Sequence, residues 1–540
     1  MKKILFFICF IFCTTLIAAE NQTPKLIVQI VIDQLRGDLL EQYKKDFGTD
    51  GFNYLLNHAI NYQSAHHPHA LTVTCVGHAT IATGSTPSLH GIIANDWYDP
   101  LTKKMVYCTE DTENPILSTP RTKITDPIGQ SPKNLLASTF SDELVLAQKG
   151  RAFGVSLKNR SAITLAGHAG KAFWFDAKNG GFVTSKFYYA KYPDWVNAWN
   201  YNYHPKNLSW ELNSPLNTYR YAKVEKAKRH FEGFNDSFPH KIGKEGDENY
   251  YKYLYMSPYA DEVTADFAIA LLKNEKLGKD DNKTDYLAIS FSAVDIIGHQ
   301  FGLNSVEAED NLRHLDKTIA NVLKDIDADV GLKNTLIILT ADHGMEDSRS
   351  WLKENNVHGK SRLDMGYLVK IMNDLLQNQF NLPPEAIEKI NPPYVYLNHQ
   401  LILEKKQSLT KIKVALAEML RREPDLFTAF PLPLSNNSND WLSKKVAKMD
   451  FPGRSGDLFL VPIPYADLTY SNEVAFTHGS PWNYDSYVPL LFVNPNFKPT
   501  RITRLAYTTD IAPTLTSLMV IKAPSSAVGK PLQEVTRFYD

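Results

Sequence analysis

The sequence predicts an α/β fold in which a mostly parallel β-sheet is covered by helices on both faces. Five runs rich in aliphatic and β-branched residues have the length and composition of buried strands. Helical patterns lie between several of these runs, and such alternation is typical of a parallel sheet. The predicted strands are residues 25–33, 151–158, 285–292, 335–342 and 487–494. The predicted helices are residues 134–148, 260–273, 305–325 and a closing helix at 509–519.

Length and composition describe a large globular protein. A chain of 540 residues exceeds one ordinary core, so it forms either one large domain with insertions or two domains. Hydrophobic residues make up 43% and charged residues 22%, which is ordinary for a folded protein. The formal net charge of -1 gives no electrostatic reason to expect nucleic acid or an anionic membrane as a partner.

The first nineteen residues have the pattern of a secretory signal peptide. Two lysines precede a long apolar run, and Ala18 and Ala19 supply the small residues before a cleavage site. We therefore expect residues 1–19 to be removed and the mature chain to be periplasmic or otherwise exported. A retained membrane anchor is the alternative, but the apolar run is short for a membrane span. The mature chain keeps Cys75 and Cys108, which can form a disulfide in an oxidising compartment, although their pairing stays open.

Two regions depart from the alternation of strands and helices. Residues 182–256 are crowded with tyrosine and tryptophan and carry few strand signals, which predicts an insertion over the sheet. This insertion is either a lid that shapes a cleft or a structural aromatic cluster. Residues 345–476 contain a helical pattern and strand patterns, which predict a smaller α+β subdomain before the last core strand. We expect residues 20–540 to form one catalytic domain with these two insertions.

Charged side chains stand at the carboxyl ends of the predicted strands. Asp33 ends the first strand, Lys158 ends the second, Asp295 follows the third, and Asp342 and His343 end the fourth. In open α/β sheets ligands bind at this edge. A capping Asp and a core His would explain Asp342 and His343 equally well alone. The agreement among four strands favours a functional site.

The same residues include a set of possible metal ligands. Asp295 and His299 are four residues apart, so within a helix they lie on one face and can hold one metal ion. His478, in a glycine-bounded loop, adds another imidazole; each of these signals is weak alone. Three carboxylates and three imidazoles together fit two zinc ions, which could clamp the attacking and leaving oxygens of a phosphoryl or sulfuryl displacement. These residues are Asp33, Asp295, His299, Asp342, His343 and His478.

A nucleophile for such a displacement is present in residues 69–84. The second half of this stretch predicts a helix that starts near Cys75, and the free amides of a helix start favour an anion. Thr74 at this position could act as a metal-activated alkoxide. The alternative is that Thr74 is only the helix N-cap, where threonine is common. Without the metal ligands, the N-cap would be the better interpretation.

The order and spacing of these motifs resemble the alkaline phosphatase superfamily over nearly the whole mature chain. They are most similar to the PafA-type, phosphate-irrepressible alkaline phosphatases, which share a similar metal site with nucleotide pyrophosphatase/phosphodiesterases. The motifs are Asp33, Thr74-x-x-x-His78, Thr83-Gly84, His90-Gly91-Ile92-x-x-Asn95, Asp295-x-x-x-His299, Asp342-His343-Gly344 and Thr477-His478-Gly479.

The resemblance implies a role for each residue of these motifs. One zinc would be held by Asp295, His299 and His478. The other would be held by Asp33, Asp342 and His343 and contacted by Thr74, the nucleophile. Asn95 would donate its amide to a phosphoryl oxygen, while His78 and His90 would be supporting residues that do not bind metal.

Lys158 and Arg160 distinguish the type of ester within this family. Residues two apart at the end of a strand point the same way, so both cations could face one phosphoryl group. A terminal phosphoryl group carries more charge in a monoester than in a diester, and arginine can bind two of its oxygens. Such a pair alone is usually a solvated patch. At this strand end it resembles the monoesterases, which implies an alkaline phosphatase acting on small-molecule phosphate monoesters through a phosphothreonine.

Three other functions remain as alternatives. A phosphodiesterase or nucleotide pyrophosphatase could use the same metal core. A sulfatase fits less well, because Cys75 is followed by Val-Gly-His and no Cys/Ser-x-Pro-x-Arg motif is present there. The alternative of another class is a non-catalytic exported protein that binds phosphorylated ligands. We expect no nucleic acid partner, no membrane contact after signal removal, and a monomer.

Overall fold

A computed structural model describes residues 23–118, 128–204, 206–224, 231–357, 363–434, 439–466, 468 and 477–539. The predicted signal peptide, residues 1–19, lies outside the described residues. Within these ranges the structure contains no helix that combines the length and the apolar character needed to span a membrane.

The strands of the described residues belong to one large sheet and three smaller ones. They are β1 Leu26–Ile32, β2 Ala59–His66, β3 Asp96–Asp99, β4 Lys104–Tyr107, β5 Ala152–Ser156, β6 Lys171–Phe175, β7 Phe182–Val183, β8 Leu208–Trp210, β9 His240–Gly243, β10 Asp285–Phe291, β11 Thr335–Thr340, β12 Ile387–Asn391, β13 Tyr394–Leu397, β14 Leu426–Pro431, β15 Leu458–Pro462, β16 Tyr487–Val488, β17 Leu490–Val493 and β18 Thr500–Tyr507.

The α-helices of the described residues range from one turn to 24 residues. They are α1 Leu39–Gln42, α2 Phe52–Asn57, α3 Thr74–Thr83, α4 Pro87–His90, α5 Phe140–Leu146, α6 Asn159–Ala166, α7 Asp194–Asn202, α8 Tyr250–Tyr255, α9 Tyr259–Asn274, α10 Ala293–Phe301, α11 Val306–Asp329, α12 Arg349–Glu354, α13 Met365–Phe380, α14 His399–Glu404, α15 Leu409–Leu420, α16 Trp441–Ala447, α17 Asn483–Ser486, α18 Ile511–Leu518 and α19 Gln533–Thr536. Short 3-10 helices occur at Leu216–Thr218, Leu332–Asn334, Pro384–Ala386 and Thr508–Asp510.

The large sheet confirms the predicted fold class. Its order in the described residues is β16-β2-β17-β11-β1-β10-β5-β6-β7, and β18 pairs with β2. β1 lies between β10 and β11 and is parallel to both, and β5 continues the parallel arrangement beside β10. The predicted strand at 487–494 differs, because it forms β16 and β17, which pair antiparallel with β2, and β17 also pairs antiparallel with β11.

The burial of β1 shows why its sequence is apolar throughout. Val28, Ile30 and Ile32 pack into one hydrophobic cluster, whereas Ile27 and Val31 pack into a second cluster. Successive side chains of a strand point to opposite faces, so both faces of the sheet are covered. The chain therefore needs no alternation of polar and apolar residues in this strand.

The two regions predicted as insertions are related to the large sheet in different ways. β12, β13, β14 and β15 form a separate antiparallel sheet in the order β12-β13-β15-β14, between β11 and β16 along the chain. In the aromatic region 182–256, Tyr192, Trp210 and Tyr250 are buried in the same cluster as one face of β1. These three side chains therefore have a structural role in the core.

One predicted helix is shorter than its pattern, and several strands were missed, among them β2, β6 and β18 of the large sheet. Helix 134–148 begins only at Phe140, because Thr139 accepts a hydrogen bond from Asp142 N while the Asp142 carboxylate accepts one from Thr139 N. This capping box starts the helix at that point. β2 and β18 contain several polar residues, so neither has the continuous apolar run used for prediction, and the apolar run of β6 is limited to residues 172–175.

Candidate active site

Asp295, His299 and His478 form one group at the carboxyl edge of the sheet. α10 begins two residues after β10, so Asp295 lies in its first turn and His299 one turn later, on the same face as predicted. His299 Nε2 and His478 Nε2 lie 3.3 and 3.4 Å from Asp295 Oδ1. One ligand atom from each residue lies within 4.8 Å of the others. We call these three residues the outer group.

The hydrogen bonding of His478 suits a cation in the outer group. Its Nδ1 lies 2.8 Å from the carbonyl oxygen of Thr72, and a carbonyl can only accept. The proton of the neutral ring is therefore on Nδ1, and the lone pair is on Nε2, which faces Asp295. A lone pair and a carboxylate oxygen repel each other unless a proton or a cation lies between them. This donor set fits a metal ion that takes nitrogen and oxygen ligands.

Asp33, Asp342 and His343 form a second group, which we call the inner group. Asp33 follows β1, and the other two follow the neighbouring strand β11 by one to two residues. His343 Nε2 lies 3.3 Å from Asp342 Oδ2, while its Nδ1 lies 3.0 Å from Gly344 O. In this group, Asp33 Oδ1, Asp342 Oδ2 and His343 Nε2 are buried without a hydrogen-bond partner among the described residues, and Asp33 Oδ2 forms an ion pair of 2.6 Å with Lys158. Buried polar atoms are normally satisfied, so this convergence fits a bound cation.

His78 lies beside the same two carboxylates but differs in its hydrogen bonds. Its Nδ1 is 3.3 Å from Asp342 Oδ2 and its Nε2 is 3.6 Å from Asp33 Oδ1, so it too could complete a metal-binding set. However, Nδ1 also lies 2.9 Å from Thr74 O, and Nε2 lies 3.0 Å from Ser290 Oγ. Both nitrogens of His78 are thus engaged by the protein, which makes His343 the better ligand of the two.

Burial and charge act differently on the carboxylates of the two groups. Burial opposes ionisation of Asp295, but the Lys158 ammonium and His299 hold its pKa well below the usual range. Burial, together with the neighbouring Asp33 carboxylate, raises the pKa of Asp342 to about 7. Two carboxylates that share a buried site are stabilised by a cation between them. The electrostatics of the inner group therefore agree with its unsatisfied atoms.

Thr74 is the first residue of α3, next to the inner group. Val73 occupies the N-cap position, so the alternative that Thr74 is the N-cap is wrong. One turn later, a Cβ on Gly77 would lie 2.1 Å from the carbonyl oxygen of Asp342. Glycine therefore lets α3 pack directly against the chain that carries the inner group. The buried Thr74 thus begins a helix that packs against Asp342 of the inner group.

Asn95 is held against the start of α3. Its Oδ1 accepts a hydrogen bond of 2.9 Å from Cys75 N, and its carbonyl accepts one of 2.9 Å from Cys108 N. Cys75 and Cys108 form a disulfide, which resolves the pairing that the sequence left open. Because Oδ1 is used, the NH2 group is the remaining donor of the Asn95 side chain.

Lys158 and Arg160 reach the site by a route that differs from the prediction. β5 ends at Ser156, Lys158 is the N-cap of α6, and Arg160 lies in the first turn of α6, so the argument from strand alternation was wrong. Lys158 Nζ nevertheless lies 2.6 Å from Asp33 Oδ2 and 2.5 Å from Asp295 Oδ2. Arg160 Nη2 donates a 3.3 Å hydrogen bond to Thr74 Oγ1. The two cations therefore converge on the threonine and on one carboxylate of each group.

Two residues of the site were missed by the sequence reasoning. The hydroxyl of Tyr107 donates to Asn159 Oδ1 at 2.8 Å and lies 3.4 Å from Arg160 Nη1. Gln34, directly after Asp33, contacts Asp342 and Asp295 through its backbone and side-chain amides. The rule that polar residues at strand ends are functional could have found Gln34. No local signal singles out Tyr107, whose contacts depend on the tertiary structure.

The comparisons with known proteins agree with this geometry. The family model for type I phosphodiesterase/nucleotide pyrophosphatase matches residues 27–481. Alkaline phosphatase PafA of Elizabethkingia meningoseptica is 34% identical, with 95% of this chain and 94% of that protein covered. Alkaline phosphatase PhoV of Synechococcus elongatus is 33% identical, with 95% and 93% covered. The crystal structure of wild-type PafA is 32% identical, with a TM-score of 0.85, and covers 95% of this chain and 98% of that one. Murine ectonucleotide pyrophosphatase/phosphodiesterase 5, at 14% identity and a TM-score of 0.51, shares the fold.

Proposed function

The chain belongs to the type I phosphodiesterase/nucleotide pyrophosphatase family, and we propose that it is an exported, zinc-dependent alkaline phosphatase acting on small-molecule phosphate monoesters. The relatives PafA and PhoV, matched over nearly their whole length, are alkaline phosphatases, so as an enzyme the chain is a phosphoric monoester hydrolase. The observation that carries the proposal is the convergence of Lys158 and Arg160 on Thr74 and the metal-binding carboxylates.

Each group would hold one zinc ion. The inner group of Asp33, Asp342 and His343 would hold the ion contacted by Thr74, and the outer group of Asp295, His299 and His478 would hold the other. When bound, two such ions supply Lewis-acid stabilisation of the attacking and leaving oxygens of an in-line displacement. The orphaned buried atoms of the inner group and the lone pair of His478 support this assignment.

The residues of the chain carry out the reaction in two displacements. Thr74 attacks phosphorus in line and forms a phosphothreonine as the alcohol leaves, and water then hydrolyses that ester. The Arg160 guanidinium donates to Thr74 Oγ1, and such a charge-assisted bond favours the alkoxide. Asn95, Lys158, Arg160 and the amides at the start of α3 would donate to the non-bridging phosphoryl oxygens, whose charge develops in the transition state.

Removing both cations tests the monoester assignment. Lys158→Ala combined with Arg160→Ala should lower kcat/KM for a phosphate monoester on the order of a thousandfold, because one preorganised donor is worth a hundredfold or more. A diester presents less charge to the two cations, so its hydrolysis should fall less, by the part that reflects the support of the Thr74 alkoxide by Arg160. The matched control is Lys405→Ala with Lys406→Ala, an exposed pair on the antiparallel subdomain. Equal losses on both esters would contradict the proposal and favour the phosphodiesterase alternative.

Thr74 variants test the covalent step and the non-catalytic alternative. Thr74→Ala should abolish phosphate release by the zinc-loaded protein, whereas Thr74→Ser keeps a hydroxyl and should retain activity. Acid quenching during turnover should trap a phosphate on Thr74, detectable by peptide mass spectrometry. Phosphate release that persists in Thr74→Ala would refute the nucleophile, and a zinc-loaded wild type that releases none would support a binding protein.

We also propose that the chain is exported and forms a single catalytic domain. We keep residues 1–19 as a signal peptide and residues 20–540 as a catalytic domain with insertions at about 182–256 and about 345–476, present as a monomer. The aromatic side chains in the sheet core and the separate antiparallel sheet support the positions of these insertions. The mass of the mature protein from an exporting host would check the cleavage site.

A further inference from the structure

We propose that Gln34 is a positioning residue that fixes the spacing between the inner group and the outer group. The inference rests on the proposed two-metal function. Gln34 directly follows the ligand Asp33 and is fully buried. Like Lys158, it makes contacts to one carboxylate of each group, but it does so through uncharged amides.

The two hydrogen bonds of Gln34 use different parts of the residue. Its backbone N donates to Asp342 Oδ1 at 3.1 Å, and its side-chain Nε2 donates to Asp295 Oδ1 at 2.9 Å. The backbone of Gln34 has a φ of 69°. This left-handed conformation is uncommon for a residue other than glycine and persists only where the surroundings impose it. The chain thus turns sharply after β1 so that one residue can reach both neighbouring elements.

The helix that carries the outer group is shaped to receive this side chain. A Cβ on Gly298 would lie 2.0 Å from Gln34 Oε1 and 3.0 Å from Met345 Sδ. Gly298 lies between Asp295 and His299 on α10. A larger residue at 298 would therefore displace the amide of Gln34 from Asp295. The glycine and the glutamine form one packing unit beneath the outer group.

The bonds leave the metal-facing atoms of both carboxylates available. In Asp342, Oδ1 accepts the Gln34 backbone amide, while Oδ2 has no hydrogen-bond partner among the described residues and faces His343. In Asp295, Oδ1 has two lone pairs, so it can accept from Gln34 and still bind a cation. Hydrogen bonds of this kind orient metal-binding carboxylates, and their loss typically costs about 10- to 100-fold in metal affinity.

The two hydrogen bonds of Gln34 can be separated by mutation. A substitution removes only the side-chain bond to Asp295 and keeps the backbone bond to Asp342. Gln34→Met and Gln34→Ala should therefore weaken zinc binding at the outer group by about 10- to 100-fold and leave the inner group as in the wild type. Gln34→Met preserves most of the volume of glutamine but has no N–H, so it separates hydrogen bonding from packing.

The experiment titrates metal-free protein with zinc in competition with a chromophoric chelator. Wild type should bind two equivalents, and each Gln34 variant should bind one of them more weakly. In a His299→Ala background, which disables the outer group, Gln34→Met should cause no further loss at the remaining equivalent. The matched control is Gln29→Ala, because Gln29 is a buried glutamine of β1, the strand that precedes Gln34, and its Nε2 has no hydrogen-bond partner in the described part of the chain. The Gln29→Ala protein should bind both equivalents of zinc as tightly as the wild type does.

Several outcomes would overturn the inference. They are wild-type affinity in Gln34→Met, equal weakening of both equivalents, and an equal loss in Gln29→Ala. A thermal midpoint of the metal-free variants far below that of the wild type would show a general structural role and would also count against it. A wild type that binds fewer than two zinc ions would contradict the proposed function itself, which distinguishes that failure from a failure of Gln34.

Discussion

The inner and outer groups use the same kinds of ligand but are held in different ways. The inner group comes from the ends of two adjacent parallel strands, and its side chains are 0% exposed. The outer group comes from one turn of α10 and from the loop of His478, and the side chain of His299 is 19% exposed. The inner group is therefore fixed by the sheet and fully buried, whereas the outer group is partly exposed at His299.

This difference suits the roles that we propose for the two groups. The inner group lies beside Thr74, whose position must not vary while it attacks phosphorus. The outer group would stabilise alcohols that leave the site and are replaced by water. A rigid inner group would hold the nucleophile in place, and a more exposed outer group would allow the alcohol to be exchanged for water. One site could then accept different leaving groups.

The largest expected effect comes from removing one imidazole of each group. His343→Ala should lower the affinity for zinc at its site at least about tenfold more than His299→Ala does at its own site. Water can replace the lost ligand of His299, whereas loss of His343 leaves buried carboxylates without compensation. Competition titration of each variant against a chelator measures both losses. Equal losses in the two variants would show that solvent access does not distinguish the groups.

A smaller effect should follow from adding one methyl group behind each group. Gly77→Ala should lower the free energy of unfolding by about 1–3 kcal/mol, because the new Cβ meets the main-chain carbonyl of Asp342 and forces a backbone shift. In Gly298→Ala the new Cβ meets the flexible end of the Gln34 side chain, which can move. The thermal midpoint should therefore stay close to that of the wild type, while the zinc affinity of the outer group should fall. Thermal unfolding of the metal-free proteins separates the two cases. Equal destabilisation by both substitutions would contradict this distinction.

The smallest effect concerns the loop that carries His478. Lys445 Nζ donates a 3.0 Å hydrogen bond to Pro481 O, and burial lowers the pKa of Lys445 to about 8, with Lys448 adding to the effect and Asp485 opposing it. A lysine of the unfolded chain titrates near pH 10.4. Between about pH 8 and pH 10.4 the unfolded state thus binds more protons, and stability should rise with pH across this window.

Lys445→Met should remove this dependence. The variant should unfold at a higher temperature than the wild type at pH 7. Its stability should rise less than that of the wild type between pH 8 and pH 10. Lys444→Met, an exposed lysine of the same helix, is the control and should keep the wild-type profile. A rise with pH that persists unchanged in Lys445→Met would assign it to other groups.

The parts of the site that the sequence predicted are those determined by local patterns. Asp33, Asp295 and Asp342 follow long apolar runs, and Asp295 and His299 have helical spacing, so their positions follow from strand and helix geometry alone. The choice between His343 and His78 could not be made in this way, because it depends on the hydrogen bonds to Thr74 and Ser290.

The incorrect predictions likewise concern features that local sequence patterns do not determine. The pairing of β2 with β18 was missed because strands that contain several polar residues resemble loops in a sequence. Lys158 and Arg160 were placed on a strand, although the chain leaves β5 at Ser156 and enters a helix. Their convergence on the site depends on where α6 packs, which spacing in the sequence does not determine.

The position of β1 in the middle of the large sheet has a consequence for how the protein folds. β1 is the first strand of the described residues, but its two neighbours, β10 and β11, begin only at Asp285 and Thr335. Its pairing must therefore await more than half of the chain, and closing such long loops slows folding. An N-terminal fragment that ends before residue 285 therefore lacks both strands that flank β1, and with them the candidate site at the carboxyl edge of the sheet.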